Sequence, residues 1–350
     1  MEYRLLGRSG LYVSAFSFGA MTFGGGNAGA VEADEARRLI DLCLEAGINL
    51  IDTADVYANG RSEQILGEVL KGRRHEVMVA TKAFGPMSPG PNGQGLSRKH
   101  LIEACEASLK RLGMDYVDLY QVHNFDGLTP MEEILRALDD LVRAGKVRYI
   151  GHSNWAAWHL VKAAAVAEKR NFAPFVSQQI QYSLLKRDAE FEMLPAGIDQ
   201  GVGALIWSPL AQGYLSGKFR RDVAEVTRLG SVGRVGYWDD DGARQVLQTL
   251  EQVAAGYPGA TLSQVALNYV RRQPGVTSVL IGARNEAQLK DNLGAATWSL
   301  SDADMEKLDR ASRRGLPYPA SHHRAYGRGR IPSLPLQPIP APEPSIKSKG

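Results

Sequence analysis

The sequence predicts an α/β fold, specifically a parallel (α/β)8 TIM barrel, and three observations carry that expectation. Apolar, strand-like runs alternate with helix-period stretches along most of the 350 residues, which is the pattern of a parallel sheet joined by crossover helices. Such a barrel takes roughly 250 residues before insertions, so one barrel with added segments accounts for the length. Four polar residues, Asp52, Tyr57, Lys82 and His123, stand at or just beyond the ends of apolar runs. The carboxyl ends of barrel strands converge on one mouth, where such a fold does its chemistry.

The elements follow in order. A short N-terminal β-hairpin, at residues 3–5 and 11–13 with Gly10 at its turn, is expected to cap the barrel bottom. Strand one runs through residues 16–19. A helical repeat at 33–46 precedes Ile48-Asn49-Leu50-Ile51-Asp52, and one at 62–70 precedes Val77-Met78-Val79-Ala80-Thr81-Lys82. A third, at 98–112, leads to Val117-Asp118-Leu119-Tyr120-Gln121-Val122-His123. Helices at 131–144, 155–169 and 189–200 alternate with further strands, of which the last two are 203–207 and 276–281, followed by a helix at 285–293.

Residues 217–242 mix glycine, charge and isolated aromatics with no sustained period, so they read as a long surface loop, and loops of this length tend to be functional lids or disordered. A helix at 301–312, opened by a Ser-x-Asp cap and carrying Met305 and Leu308 on one face, reads as an extra C-terminal helix packed outside the barrel. Residues 1–315 thus form the barrel unit and 316–350 a flexible C-terminal extension. From residue 331 the chain is proline-rich and expected to be disordered or extended.

Composition narrows the function classes. A hydrophobic fraction of 44% with 23% charged residues is ordinary for a soluble globular chain. Net charge is +3, but five basic residues from Arg324 onward face only Glu343, so the remainder is near neutral. No general basic surface is left for nucleic acid or membrane. Cys43 and Cys105 fall inside helical patterns without metal-like spacing, and no signal peptide or long apolar run is visible, so they are expected as reduced helix residues in a cytoplasmic protein. His322-His323 lacks the further ligands a metal site needs, and no metal is assigned.

Chemistry enters with the four polar residues. A charged group in a strand buried on both faces costs several kcal/mol by rough estimate, so an ionisable side chain is tolerated more easily at the strand's end. Taken singly, Asp52 and Lys82 read equally well as a structural ion pair. Together with a tyrosine and a histidine they suggest more. A phenol, with a pKa of about 10, donates a proton poorly near neutrality unless a nearby cation stabilises the phenolate. Lys82 supplies such a cation, Asp52 orients the lysine, and His123 hydrogen-bonds a substrate oxygen, a constellation suited to carbonyl reduction.

The residues at this point strongly resemble the aldo-keto reductase superfamily, over residues 5–313. The matching text includes Phe18-Gly19-Ala20-Met21-Thr22, Asp52-Thr53-Ala54-Asp55-Val56-Tyr57, Gly60-Arg61-Ser62-Glu63 and Leu119-Tyr120-Gln121-Val122-His123. It continues through Gly145-Lys146-Val147-Arg148-Tyr149-Ile150-Gly151, Ser153-Asn154, Gln179, Trp207-Ser208-Pro209-Leu210 and Gly282-Ala283-Arg284. The Ser-Pro-Leu-Ala-Gln-Gly-Tyr-Leu-Ser-Gly-Lys string is similar to the branch that holds potassium-channel β subunits and bacterial multi-substrate reductases. By resemblance Tyr57 is the general acid, Lys82 tunes it, Asp52 pairs with Lys82 and His123 orients the carbonyl.

The resemblance also implies NADPH/NADP+ as cofactor, in a site drawing on Gly19, Met21, Thr22 and Asp52. Ser153, Asn154 and Gln179 would hold the nicotinamide carboxamide, with Trp207 stacked on the ring. Ser208, Pro209, Leu210, Gly213, Leu215 and Lys218 match the segment that wraps the pyrophosphate in relatives. Arg284, Gln288 and Asn292 match adenosine and 2′-phosphate contacts. Independently, the loop after the last strand and the next helix N-terminus suit a phosphate. There Gly282 and Arg284 offer a close backbone and a charged fork, with a surface salt bridge as the plainer reading of Arg284. The loop at 217–242 is expected to fold over the cofactor.

For substrate, Met21, Tyr57, His123, Phe125 and Trp155, with Tyr237 and Trp238 from the loop, are expected to line an apolar mouth suited to a fairly large aldehyde or ketone. The branch implies homo-oligomers. Two other readings stay open: an NADPH-binding, redox-sensing regulatory subunit with slow turnover, and a barrel hydrolase or isomerase in which Asp52 and His123 act without hydride transfer.

Overall fold

The computed structural model describes residues 1–25, 30–217 and 241–327. Strands β1 (Tyr3–Leu5) and β2 (Tyr12–Ser14) pair antiparallel, with Tyr3 opposite Ser14. Eight more strands follow: β3 (Phe16–Gly19), β4 (Leu50–Asp52), β5 (Met78–Ala83), β6 (Val117–Val122), β7 (Val147–Ser153), β8 (Phe175–Gln181), β9 (Gly203–Trp207) and β10 (Val276–Ile281). They close into a parallel barrel in chain order, with β10 pairing both β9 and β3. The fold is the expected (α/β)8 barrel with extra elements at both ends.

Closure follows from the burial pattern. Every residue of β10 is buried, as a strand needs when one face meets the barrel interior and the other the helices. Leu50, Ala80, Leu119, Val176, Leu205 and Leu280 form a small cluster with Leu6 and Val13. The hairpin thereby plugs the amino-terminal end of the barrel. Arg4 latches it there by donating to the carbonyls of Arg271 at 2.9 Å and Val276 at 2.8 Å.

The outer layer holds α1 (Ala33–Glu45), α2 (Arg61–Val69), α3 (Arg98–Leu112), α4 (Met131–Arg143), α5 (Ala157–Arg170), α6 (Met193–Gln200), α7 (Asp241–Ala254), α8 (Leu262–Arg271), α9 (Glu286–Gly294), α10 (Asp302–Ser312) and α11 (Ala320–Tyr326). Side-chain caps start several of them: Ser97 accepts from His100 N, Thr261 from Gln264 N, Asn285 from Gln288 N and Ser301 from Asp304 N. Cys43 and Cys105 are buried in α1 and α3 and free of any disulfide. Among the described residues, no helix is long and apolar enough to cross a membrane.

The structure departs from the expected elements in several places, among them α6, which begins at Met193 rather than at residue 189. α7 and α8 were not anticipated between β9 and β10. Seven consecutive residues of α8, Val265 to Arg271, are buried, so its sequence shows none of the one-sided period that marks a surface helix. α5 begins at Ala157 rather than at residue 155, which leaves Trp155 in the preceding turn. The short α11 lies within the stretch expected as a flexible extension, and local bonds from Ser321 N to Pro317 O and His323 N to Pro319 O sustain it. Of the expected loop at 217–242, residues 218–240 lie outside the described residues and Asp241 and Gly242 already belong to α7; the proline-rich stretch from 331 also lies outside.

Candidate active site

Seven strands contribute to one cavity at the carboxyl end of the barrel. Its wall contains Gly19 at the end of β3, Asp52 at the end of β4, Ser153 and Asn154 at the end of β7, Gln179 on β8, Trp207 and Ser208 at the end of β9, and Leu280, Ile281 and Gly282 at the end of β10. Met21, Thr22, Tyr57 and His123 complete it, around a volume of about 280 Å³. His123 follows β6 and is fixed by its backbone N–H, which donates to Ala83 O at 3.0 Å.

Tyr57 is placed by an unusual turn. The residues after it, Ala58 and Asn59, have φ of 48° and 53°, in the left-handed region that side chains with a Cβ seldom enter. This turn sends the phenol back over the end of β5. Lys82 Nζ then donates to Tyr57 Oη at 3.2 Å, to Asp52 Oδ1 at 2.5 Å and to Thr53 O at 2.7 Å. Lys82 is fully buried. Burial by itself would push its ammonium down, but Asp52 and then Tyr57 hold it above the ordinary lysine value. The lysine therefore stays charged beside the phenol.

His123 meets Tyr57 edge-on, with ring centroids 5.7 Å apart. Burial first, and the Lys82 charge second, push the imidazole down to about 3. A neutral ring with one N–H faces the cavity beside the tyrosine.

Asn154 is the hub of the next group. With φ of 60°, it donates from Nδ2 to His123 O and to Ser153 Oγ, each at 3.0 Å, and accepts at Oδ1 from Trp207 Nε1 at 3.1 Å. Ser153 Oγ donates to Gln179 O at 2.9 Å. Gln179 donates from Nε2 to Asp52 Oδ2 at 2.9 Å and lines the cavity. These side chains, with the flat indole of Trp207, present acceptors, donors and an aromatic face of the kind a nicotinamide carboxamide and ring require.

Other expected residues lie farther out. Gln288 Oε1 accepts from Arg284 N at 3.0 Å, and Asn292 Nδ2 donates to Gly282 O at 3.2 Å, so both brace the turn between β10 and α9. A Cβ at Gly282 would stand 3.9 Å from Gly19 O, and one at Gly19 would stand 3.8 Å from Ile281 O, both ordinary contact distances, so the two backbones lie side by side on this wall of the cavity. Pro209, Leu210 and Gly213 belong to a tight rim turn in which Ser208 Oγ accepts from Gln212 N at 3.0 Å. Leu215 is fully buried and stands outside the cavity wall. Lys218, Tyr237 and Trp238 lie outside the described residues.

Two residues expected at the substrate stand away from the cavity wall. Trp155 is 1% exposed and packs against Phe125, His152 and Phe175, because it precedes α5 and turns behind the barrel wall. Phe125 stacks on His159 at 3.5 Å and stands outside the cavity wall. Sequence reading also missed Leu280 and Ile281 as wall residues, and Gln121, whose Nε2 donates to Asp52 Oδ2 at 3.1 Å. The burial reasoning that singled out Asp52 and Lys82 applies equally to a carboxamide inside an apolar strand, and would have found Gln121. No group of residues suited to hold a metal occurs among the described residues.

Comparison with known proteins agrees with this geometry. A probable voltage-gated potassium channel subunit beta of Arabidopsis thaliana is 37% identical over 305 residues, covering 84% of this chain and 91% of the relative. An uncharacterized oxidoreductase of Bacillus subtilis, YrpG, is 41% identical over 322 residues, covering 88% and 95%. A putative voltage-gated potassium channel subunit beta of Schizosaccharomyces pombe is 38% identical over 326 residues, covering 88% and 92%. The sequence profile of the aldo/keto reductase family matches residues 15–313. With nearly the whole barrel inside that match, the chain belongs to the aldo/keto reductase family of oxidoreductases.

Proposed function

We propose that this chain is an NADPH-dependent reductase of aldehydes or ketones, with Tyr57 as proton donor. The observation that carries it is the buried Lys82 ammonium, 3.2 Å from the Tyr57 hydroxyl and 2.5 Å from Asp52, in a cavity shared with a neutral His123. Ser153, Asn154 and Gln179 would hold the nicotinamide amide, Trp207 would offer its face to the ring, and the turn carrying Arg284, Gln288 and Asn292 would receive the adenosine phosphate. NADPH, when bound, supplies a hydride from C4.

The protein's residues do the rest. His123 donates a hydrogen bond to the carbonyl oxygen and orients it toward Tyr57. As charge builds on that oxygen, Tyr57 Oη gives up its proton, and the adjacent Lys82 cation stabilises the phenolate left behind. Asp52, buried like the lysine, keeps it aimed and balances its charge. A small-molecule carbonyl is then the partner, and homo-oligomeric assembly in the cytoplasm belongs to the same reading.

A fluorescence titration with NADPH and NADH, following quenching of tryptophan emission, tests this alongside turnover of an aldehyde and ketone panel. NADPH is expected to bind more tightly than NADH and to be consumed with at least one panel member. Tyr57→Phe is expected to keep NADPH binding and lose most turnover, on the order of a hundredfold or more. The relatives named as potassium channel β subunits favour a second reading, a regulatory subunit that binds NADPH and turns over slowly. Tight binding without turnover of any panel member would select it, and no binding of either nucleotide would refute both.

A further inference from the structure

Two carboxamides converge on the side of Asp52 that faces away from Lys82. While Oδ1 accepts from Lys82 at 2.5 Å, Oδ2 accepts from Gln121 Nε2 at 3.1 Å and from Gln179 Nε2 at 2.9 Å. An ionised carboxylate only accepts, so chemistry itself requires both amides to turn their NH2 groups toward it. Gln179 Nε2 also reaches Gln121 Oε1 at 3.4 Å, which ties the two amides to each other.

Gln121 differs from Gln179 in having no place in the cavity wall. It is fully buried inside the barrel, in register with Lys82 on β5 and with Gly151 on β7. A Cβ at Gly151 would stand 2.1 Å from Ser177 Oγ and 3.3 Å from Gln121 Cγ, so the bare backbone there makes room for the glutamine. A carboxamide buried this deeply costs stability unless it is bonded, and its side-chain partners are Asp52 and Gln179.

Building on the reductase reading of this cavity, we propose that Gln121 is a positioning residue of the reaction centre, holding Asp52 Oδ2 so that Oδ1 stays on Lys82 and Lys82 stays on Tyr57. It touches neither substrate nor nicotinamide. Its effect reaches the proton donor through two successive contacts, Gln121 to Asp52 and Asp52 to Lys82.

The test uses the full chain with NADPH and the best aldehyde of the panel above, in wild type, Gln121→Leu and Gln121→Glu, each followed over pH. Hydrogen bonds to charged groups are strong enough that Gln121→Leu is expected to lower kcat about ten- to a hundredfold at every pH. Its NADPH affinity is expected to change by less than about threefold, the signature of a group that serves the chemical step.

Gln121→Glu keeps the shape but places a carboxyl against Asp52, and that carboxyl donates only while it holds a proton. Its kcat is expected near wild type at low pH and to fall as pH rises, with an unchanged far-UV spectrum across the range. A merely structural glutamine gives no such pH-dependent rescue. If Gln121→Leu does not fold, the isosteric variant decides by itself.

A wild-type pH profile in Gln121→Glu, or a kcat for Gln121→Leu within about threefold of wild type, overturns the role of Gln121 while leaving the reductase reading intact. A wild-type protein that consumes no NADPH overturns that reading, and this role with it.

Discussion

Asp55 is fully buried three positions beyond Asp52, and neither of its carboxylate oxygens makes a hydrogen bond of normal geometry. Burial, and then the nearby Glu63, push this carboxyl up from 3.8 to about 7. Between those values the unfolded chain loses the proton while the folded chain keeps it. Stability therefore falls as pH rises through that window, and the full loss, several kcal/mol at about 1.4 per pH unit, is present above about 7. Asp55→Asn, which mimics the protonated form, is expected to raise the melting temperature at pH 8 and change it little at pH 4, as followed by circular dichroism. Equal shifts at both pH values would contradict this account. Nothing in the sequence marks Asp55, since its neighbours Asp52 and Lys82 share the same strand ends and only the missing partner distinguishes it. Asp52, Tyr57, Lys82 and His123 were legible because a polar residue ending an apolar run is conspicuous. Trp155 misled because an aromatic after a strand lines a mouth or packs behind it depending on where the next helix begins.

At the level of elements, strands were easier to read than the helices that hide all their faces. β4, β5 and β6 stand where their apolar runs end, and α10 starts at Ser301, whose hydroxyl caps Asp304 N at 3.1 Å. What holds α10 to the barrel was not legible, because the partners lie over a hundred residues apart. Arg187, 4% exposed beyond β8, donates to Asp309 Oδ1 at 2.7 Å, to Ser312 Oγ at 2.5 Å and to Glu190 Oε2 at 2.9 Å. It also lies over the Tyr269 ring of α8 at 5.5 Å. Arg187→Met keeps the stem but removes these bonds from Asp309 and Glu190, which retain Arg313 and Tyr182 as partners, and is expected to cost about 2 kcal/mol in urea unfolding. An unchanged unfolding midpoint would show that apolar packing alone docks α10.

Across the whole molecule, the barrel separates stability from chemistry. Leu6 and Val13 of the hairpin seal the amino-terminal end, while Asp52, Tyr57, Lys82 and His123 meet at the other. The residues that hold the cavity's shape come from strands β3 to β10, so a rigid scaffold presents them at fixed separations. The function proposed for that arrangement is hydride transfer onto a carbonyl with protonation by Tyr57. The most direct check is product analysis after turnover with NADPH deuterated at nicotinamide C4, comparing wild type with Tyr57→Phe. One deuterium on the former carbonyl carbon, with the Tyr57→Phe protein forming little product, is the expected result. Product lacking the label, or undiminished labelled product from Tyr57→Phe, would contradict it.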